Sequence, residues 1–103
     1  MRELLFNISS KKLEKNENCN FDDIVMNSNN YLKLLFDFDA SWRGSRKAIK
    51  LTNEKDKEVN LLIKGNSCLV PNDITNNNYF TLKLYGKNNI SEFETNELII
   101  NQI

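Results

Sequence analysis

Apolar and polar residues alternate along several short stretches of this chain, most clearly in YLKLLFDF at residues 31–38. A period of two places successive side chains on opposite faces of an extended strand. The stretch therefore predicts a β-strand with one buried face. The residues expected on that buried face are Leu32, Leu34, Phe36 and Phe38.

Six other stretches carry strand patterns and are separated by clusters of Asn, Asp, Ser and Lys, which favour turns. They are residues 3–8, 24–27, 47–51, 58–63, 79–85 and 97–103. Most of the gaps hold about five to ten residues, too few for the helix that normally joins parallel strands. Residues 71–76, PNDITN, predict one helical turn, because proline suits a first helical position.

These elements predict a single all-β domain over residues 1–103: an antiparallel β-sandwich, immunoglobulin-like in outline, with about seven strands and one short helical turn. A small barrel would produce the same pattern. A chain of 103 residues is long enough for one hydrophobic core. The residues expected in that core are Leu34, Phe36, Phe38, Trp42, Ile49, Leu62, Cys68, Phe80, Leu82 and Leu84.

Charge and composition narrow the functional classes. The 14 basic and 14 acidic residues cancel, so no overall field draws the chain toward nucleic acid or an anionic membrane. The chain contains no histidine, the side chain that most often acts as general acid or base near neutral pH. No GxSxG motif accompanies the serines. We therefore expect a non-enzymatic protein without cofactors.

The N-terminal sequence and the two cysteines indicate in which cellular compartment the protein is expected. The start, MRELLFNISS, lacks the run of roughly seven apolar residues that a signal-peptide core needs, and no stretch approaches the roughly 20 of a membrane span. We expect the protein to be made in a cytoplasm, with Cys19 and Cys68 as reduced thiols. Cys68 has small and apolar neighbours and is expected to be buried and protonated, whereas Cys19 should be the more reactive thiol.

The sequence DFDAS places Asp37, Asp39 and Ser41 at alternate positions, as in the start of a calcium-binding loop. The match ends there. Such a loop needs glycine at its sixth position and glutamate at its twelfth, where this chain has Trp42 and Ala48. We therefore expect no metal site and interpret the acids as the solvated end of a strand.

Trp42, the single tryptophan, lies in a polar segment beside Arg43, Arg46 and Lys47. An aromatic residue within a basic patch can stack nucleic-acid bases, although the nearby aspartates oppose that charge. A second interpretation is that a sugar stacks on Trp42 with Tyr31, Tyr79 or Tyr85 nearby. The residues proposed as a possible binding surface are Tyr31, Tyr79, Tyr85, Arg43 and Arg46. The third is packing across the core, where a tryptophan buries a large area. We expect Trp42 to be a core residue and no nucleic acid to bind.

The order of motifs from Trp42 onward resembles a known domain. Its elements are Trp-x-x-x-x-Lys-x-Ala-x-x-Leu at 42–51, Cys-Leu-Val-Pro at 68–71, Tyr-Phe-Thr-Leu-Lys-Leu-Tyr-Gly at 79–86 and Thr-Asn at 95–96. This order resembles a small β-sandwich domain of phages and prophages of low-GC Gram-positive bacteria, found among virion, baseplate or fibre components. The resemblance covers about the last two-thirds of the chain.

The resemblance implies a structural or adaptor domain of a phage or prophage particle that acts through protein contacts. The expected partners are further copies of the chain or other virion proteins, with no membrane contact. The resemblance also implies that Trp42 and residues 68–71 are paired structural anchors, one from each sheet, which adds Pro71 to the expected core. The alternative function is a carbohydrate-binding module that recognises a cell-surface sugar.

Overall fold

Two β-sheets pack face to face in the computed structural model, which describes residues 1–26 and 31–103. The described strands are β1 (Arg2–Ser9), β2 (Lys12–Lys15), β3 (Leu32–Phe38), β4 (Arg46–Asn53), β5 (Glu58–Leu62), β6 (Ser67–Leu69), β7 (Tyr79–Lys87), β8 (Glu92–Glu94) and β9 (Leu98–Asn101). A 3-10 turn covers Ala40–Trp42, and helix α1 covers Asn72–Thr75. The predicted all-β sandwich with one short helical turn is confirmed.

The strand order separates the chain into a four-stranded and a five-stranded sheet. The first has the order β2-β1-β3-β6, and the second has the order β5-β4-β7-β8, with β9 also paired to β7. Among the described strands, every pairing is antiparallel except one. Strands β1 and β3 run parallel, with Arg2 opposite Leu32 and Ile8 opposite Phe38.

The parallel pair departs from the expectation of hairpins throughout. Strand β2 returns along β1, and the chain then needs the long segment after Lys15 to reach the start of β3 on the other side of β1. That segment is fastened to β1: the Arg2 guanidinium donates hydrogen bonds to the carbonyls of Asn20 and Asp22, both at 2.8 Å. The described part of this connection after Lys15, residues 16–26, contains no helix, although a helix usually joins parallel strands.

The core between the sheets contains most of the residues expected there. Those buried as predicted are Leu34, Phe36, Trp42, Ile49, Cys68, Phe80, Leu82 and Leu84. Phe38 and Pro71 are half-buried, and Phe38 packs against the core from its margin. The alternation at residues 31–38 therefore assigned the correct face to the core.

The prediction that Leu62 is a core residue is wrong, since 71% of its surface is exposed. The inner face of β5 carries Val59 and Leu61, and Ile63 follows them into the core. Leu62 has the opposite parity and therefore points outward from the sheet. Val59, Leu61 and Ile63 share one parity, whereas Leu62 shares the other with Glu58, Asn60 and Lys64, so the alternation itself indicates the observed face.

The predicted strand at residues 24–27 is not a strand where the structure describes it, and Asn27 lies outside the described residues. Ile24 is nevertheless fully buried. Its carbonyl accepts a hydrogen bond from the Ile103 N–H at 2.7 Å, and the Met26 N–H donates to the Ile103 carbonyl at 2.9 Å. The segment thus holds the last residue of the chain without joining a sheet.

None of the helices in residues 1–26 and 31–103 has the length and apolar character that crossing a membrane would require.

Candidate functional site

One side of the sandwich, formed by β2 with β8 and β9, is closed by the chain itself. The Asn96 amide accepts a hydrogen bond from the Leu13 N–H at 2.7 Å and donates one to the Leu13 carbonyl at 3.1 Å. These bonds occupy both outward backbone groups of Leu13, as a neighbouring strand residue would. We call this the closed side.

Thr95 holds Asn96 in place on the closed side. The Thr95 N–H donates to the Leu84 carbonyl at 3.0 Å, and the Thr95 hydroxyl accepts a hydrogen bond from the Leu84 N–H at 3.1 Å. The same hydroxyl donates to the Asn96 carbonyl at 2.8 Å. Thr95 is buried, so its polar atoms need these partners. The Thr-Asn pair noted in the sequence therefore joins the two sheets.

Trp42 lies at the end of the closed side and is fully buried. Its indole Nε1–H donates to the Ser10 carbonyl at 2.6 Å, and its ring centroid lies 4.7 Å from that of Phe93, edge to face. Gly86 makes room for this pair, because a Cβ there would lie 2.6 Å from Phe93 and 2.9 Å from Trp42. The core interpretation of Trp42 is therefore confirmed.

On the opposite side of the sandwich, formed by β5 and β6, a bridge between Lys64 and Ser67 joins the two strands at one end, and no described side chain covers the backbone of β5 as Asn96 covers that of β2; we call it the open side. Among the described strands, β5 pairs only with β4. The Ile63 N–H donates to the Lys47 carbonyl at 2.9 Å, and pairing alternates along an antiparallel strand. The backbone groups of Asn60 and Leu62 therefore face outward, as on any unpaired edge.

An open groove of about 610 Å³, which we call the edge groove, runs along the open side. Its exposed apolar residues are Met1, Leu62 and Leu69, at 72%, 71% and 47% exposure. The buried Cys68 side chain also borders it, and burial raises the pKa of the Cys68 thiol. Exposed leucines beside an unpaired edge are a feature that proteins usually avoid unless another chain binds there.

A second depression, the face groove, lies on the outer surface of the five-stranded sheet and has a volume of about 580 Å³. Leu62, Ala48, Tyr85 and Glu94 form one row across it, from β5 to β8. The rim is charged, with Glu94 accepting from Lys83 at 3.0 Å. Leu62 lines both grooves and so forms the ridge between them.

The five residues proposed from the sequence as a binding surface do not lie together. Tyr85 and Arg46 both line the face groove. Tyr79 is on the same strand as Tyr85 but six residues away, a distance of about 20 Å. Tyr31 precedes a strand of the other sheet and is partly buried against the core, and Arg43 lies beside Asp37 and Asp39 in a separate depression.

Asp39 of the DFDAS segment has structural partners. The Asp39 carboxylate accepts hydrogen bonds from the Ser41 N–H at 3.1 Å and from the Ser10 N–H at 2.7 Å. The hydrogen bond from the Ser41 hydroxyl is the main cause that lowers the pKa of Asp39. Asp39 therefore caps the 3-10 turn. Within the described part of the chain, no three potential metal-ligating side chains cluster.

Sequence reasoning missed the ridge at Leu62. The available signal was the alternation of Val59, Leu61 and Ile63 with polar neighbours, which leaves Leu62 as an apolar residue on the polar face. The role of Asn96 was not predicted either. A single side chain that hydrogen-bonds to the backbone of an edge strand produces no periodic pattern in the sequence.

Comparisons with known proteins found no match to this chain among protein-family models, curated proteins or solved structures.

Proposed function

We propose that this chain is a non-enzymatic structural or adaptor domain that acts through protein contacts at its open side. The observation that carries the proposal is the unpaired edge of β5 with Leu62 at 71% exposure beside it. An edge strand of this kind offers main-chain hydrogen bonds to a partner, and an adjacent apolar side chain adds burial.

The particle in which the domain works is proposed to be that of a phage or prophage. This part rests on the resemblance of residues 42–96 to the small β-sandwich domains of virion, baseplate or fibre proteins. A compact sandwich closed on one side and open on the other suits such a role, because it can add to an assembly in one direction. The partners are then other virion proteins or further copies of the chain.

Fractionation of particles tests the proposal. Particles released from the bacterium that encodes the chain are separated on a density gradient, and the chain is followed with an antibody. We expect it to sediment with the particles, and Leu62→Asp to release it. Ile99→Asp is the matched control, because Ile99 is 53% exposed on the opposite edge of the same sheet. A wild-type chain that stays at the top of the gradient would refute the particle role.

A carbohydrate-binding module is the second candidate, and the face groove favours it. Tyr85 is half-buried in that groove, with Arg46, Glu92 and Glu94 around it. An aromatic face with charged hydrogen-bonding groups is suited to a sugar ring. Sedimentation of the chain with purified cell walls tests this function: Tyr85→Ala should abolish it, and Tyr79→Ala should not. Binding unaffected by Tyr85→Ala, or absent altogether, would exclude this candidate.

A further inference from the structure

We propose that the open side binds an extended acidic segment of another protein, which pairs with the outward edge of β5 and places carboxylates at Lys33 and Lys64. This inference rests on the proposed protein-contact function and names the chemistry of the partner. The observations that carry it are the unpaired edge, the charges of the edge groove and the exposed leucines that line the same groove.

The outward edge of β5 indicates a polypeptide partner. Asn60 and Leu62 turn their N–H and C=O groups away from β4. The bridge between Lys64 and Ser67 ends this edge, so that the backbone available to a partner is that of Glu58–Leu62. An extended chain supplies donors and acceptors that alternate at the spacing of a strand, whereas a sugar, a lipid headgroup or a nucleic-acid backbone does not.

The charged residues that line the edge groove are lysines. Lys33 borders the groove from β3 and Lys64 from the end of β5, and no acidic residue in the described part of the chain lines it. Neither lysine forms an ion pair with a described residue. On the adjoining strands, the Glu58 carboxylate lies 3.8 Å from the Lys50 ammonium, and Glu3 is opposite Lys33 in register without pairing with it. The groove therefore presents two positive charges that a partner with carboxylates would balance.

The acidic strand of this chain does not supply the partner segment. Among the described strands, only β8 carries two acidic residues, and Glu92 is already paired with Lys87 at 3.2 Å and Glu94 with Lys83 at 3.0 Å. Phe93 between them packs against the core. The carboxylates and the apolar side chain of β8 thus have partners within their own molecule, which favours a segment of a different protein.

The exposed leucines and the lysines together describe the sequence of the partner segment. Leu62 and Leu69 line the same groove as the lysines, so apolar side chains of the segment gain burial there. Lysines beside an edge disfavour pairing with neutral or basic strands, whereas a strand with carboxylates makes favourable contacts with them. We therefore expect a segment in which acidic and apolar residues alternate, as the period of a strand requires.

Titration of the isotope-labelled chain with synthetic octapeptides, followed by NMR, tests the recognition. The peptides have blocked ends and alternate valine with glutamate, with lysine or with serine; a fourth is the glutamate peptide with its central valines replaced by proline. The glutamate peptide should bind at least about tenfold more tightly than the serine peptide at low salt and protect the amides of Asn60 and Leu62 from exchange. The proline peptide should lose this binding, because proline cannot donate to a strand ladder. A glutamate peptide that does not bind at about 1 mM, or binds no better than the serine or proline peptide, overturns the proposal.

Charge reversal tests the role of the two lysines. Lys33→Glu and Lys64→Glu should each weaken binding of the glutamate peptide by about threefold at low salt, and by about tenfold together. Lys11→Glu is the matched control, because Lys11 is an exposed lysine in the turn between β1 and β2; it should leave the affinity within about twofold. Circular dichroism verifies that the variants remain folded. A double variant that binds as tightly as wild type, or a control that loses as much affinity, would refute the charge match.

Sedimentation velocity of the chain without peptide tests the alternative of a second copy. We expect a monomer up to about 100 μM, for wild type and for Leu62→Ser alike. A dimer that Leu62→Ser abolishes and that Ile99→Ser leaves intact would identify a second copy as the partner at the open side and overturn the proposal.

Failure of the acidic-segment proposal and failure of the protein-contact function give different results. If the chain sediments with particles in a manner that depends on Leu62 but does not bind the glutamate peptide, the acidic-segment proposal is wrong and the protein-contact function stands. If the chain binds the peptide as expected but never accompanies particles, the particle role is wrong and the recognition of an acidic segment stands.

Discussion

The closed and open sides of the sandwich differ in whether the outward backbone groups of their edge strands have hydrogen-bond partners. Each side has an edge strand from each sheet, and each edge strand presents backbone groups without a neighbouring strand. On the closed side, Asn96 occupies both outward groups of Leu13 in β2. On the open side, no described residue does this for Asn60 or Leu62 in β5.

The difference shows how one chain can prevent association at one edge and permit it at another. A side-chain amide is enough to occupy the backbone of a short strand, and a buried tryptophan fixes the end of the same side. Charged residues remain at the ends of β5 but its centre is neutral. Edges that are covered resist pairing with other chains, and uncovered ones invite it. Four predictions test this contrast.

The largest effect is expected from Trp42→Ala at the closed side. Truncation of a buried tryptophan costs about 3–5 kcal/mol, and a small domain has roughly 5–15 kcal/mol of stability in total. We therefore expect the variant to be unfolded or nearly so, as measured by urea denaturation. The native indole should fluoresce at short wavelength and resist iodide quenching. A variant within about 0.5 kcal/mol of wild type would contradict the anchoring role.

A smaller loss is expected from Asn96→Ala, which removes the bond between the two sheets at Leu13. Leaving the backbone groups of a buried residue without partners costs about 1–3 kcal/mol, and Leu13 is almost fully buried. The matched control is Asn60→Ala on the exposed part of β5, which should change the free energy of unfolding by less than about 0.5 kcal/mol. Equal losses in the two variants would remove the distinction between the sides.

The labelling rates of the two cysteines test whether the edge groove on the open side reaches the core. Cys68 borders the edge groove but is 8% exposed, and its pKa is raised by burial, so its thiol is protonated at neutral pH. Cys19 is less buried. We expect iodoacetamide to label Cys19 at least about tenfold faster than Cys68 in the native protein. Because the raised pKa holds Cys68 protonated, its labelling should increase only at clearly alkaline pH. Equal rates at neutral pH would show that the groove opens into the core.

The smallest effect on stability is expected from Leu62→Ser. Leu62 projects from the sheet into solvent, so its replacement removes little buried surface in the monomer. The free energy of unfolding at low protein concentration should change by less than about 0.5 kcal/mol. Leu61→Ser, one residue away on the inner face, is the comparison and should cost more. The reverse ranking would restore the original expectation that Leu62 belongs to the core.

Alternation predicted the faces of β3, β4 and β7 because most residues of the outward parity in each strand are polar. The same alternation indicates the face of β5, since Val59, Leu61 and Ile63 share one parity, and Leu62 is the apolar exception on the other. The sequence does not give the register of β5 with β4, in which the Ile63 N–H donates to the Lys47 carbonyl. Register is a property of two strands, and one strand does not encode it.

The closed and open sides could not be predicted from the sequence, because both depend on contacts between distant parts of the chain. The closed side depends on contacts between residues far apart in the chain, such as Leu13 and Asn96, which are 83 positions apart. The open side depends on which strands lie at the sheet edges, and so on the parallel pairing of β1 with β3. The sequence did predict Cys68 as buried from its small and apolar neighbours, and Trp42 from the large area that a tryptophan buries when it packs across a core.

Amide hydrogen exchange, resolved by residue with NMR, tests the central contrast most directly. In a dilute sample, the Leu13 amide should be strongly protected by Asn96, while the amides of Asn60 and Leu62 exchange nearly as fast as in an unfolded chain. An unprotected Leu13 amide, or Asn60 and Leu62 amides protected as strongly as that of Leu13, would contradict a sandwich closed on one side and open on the other.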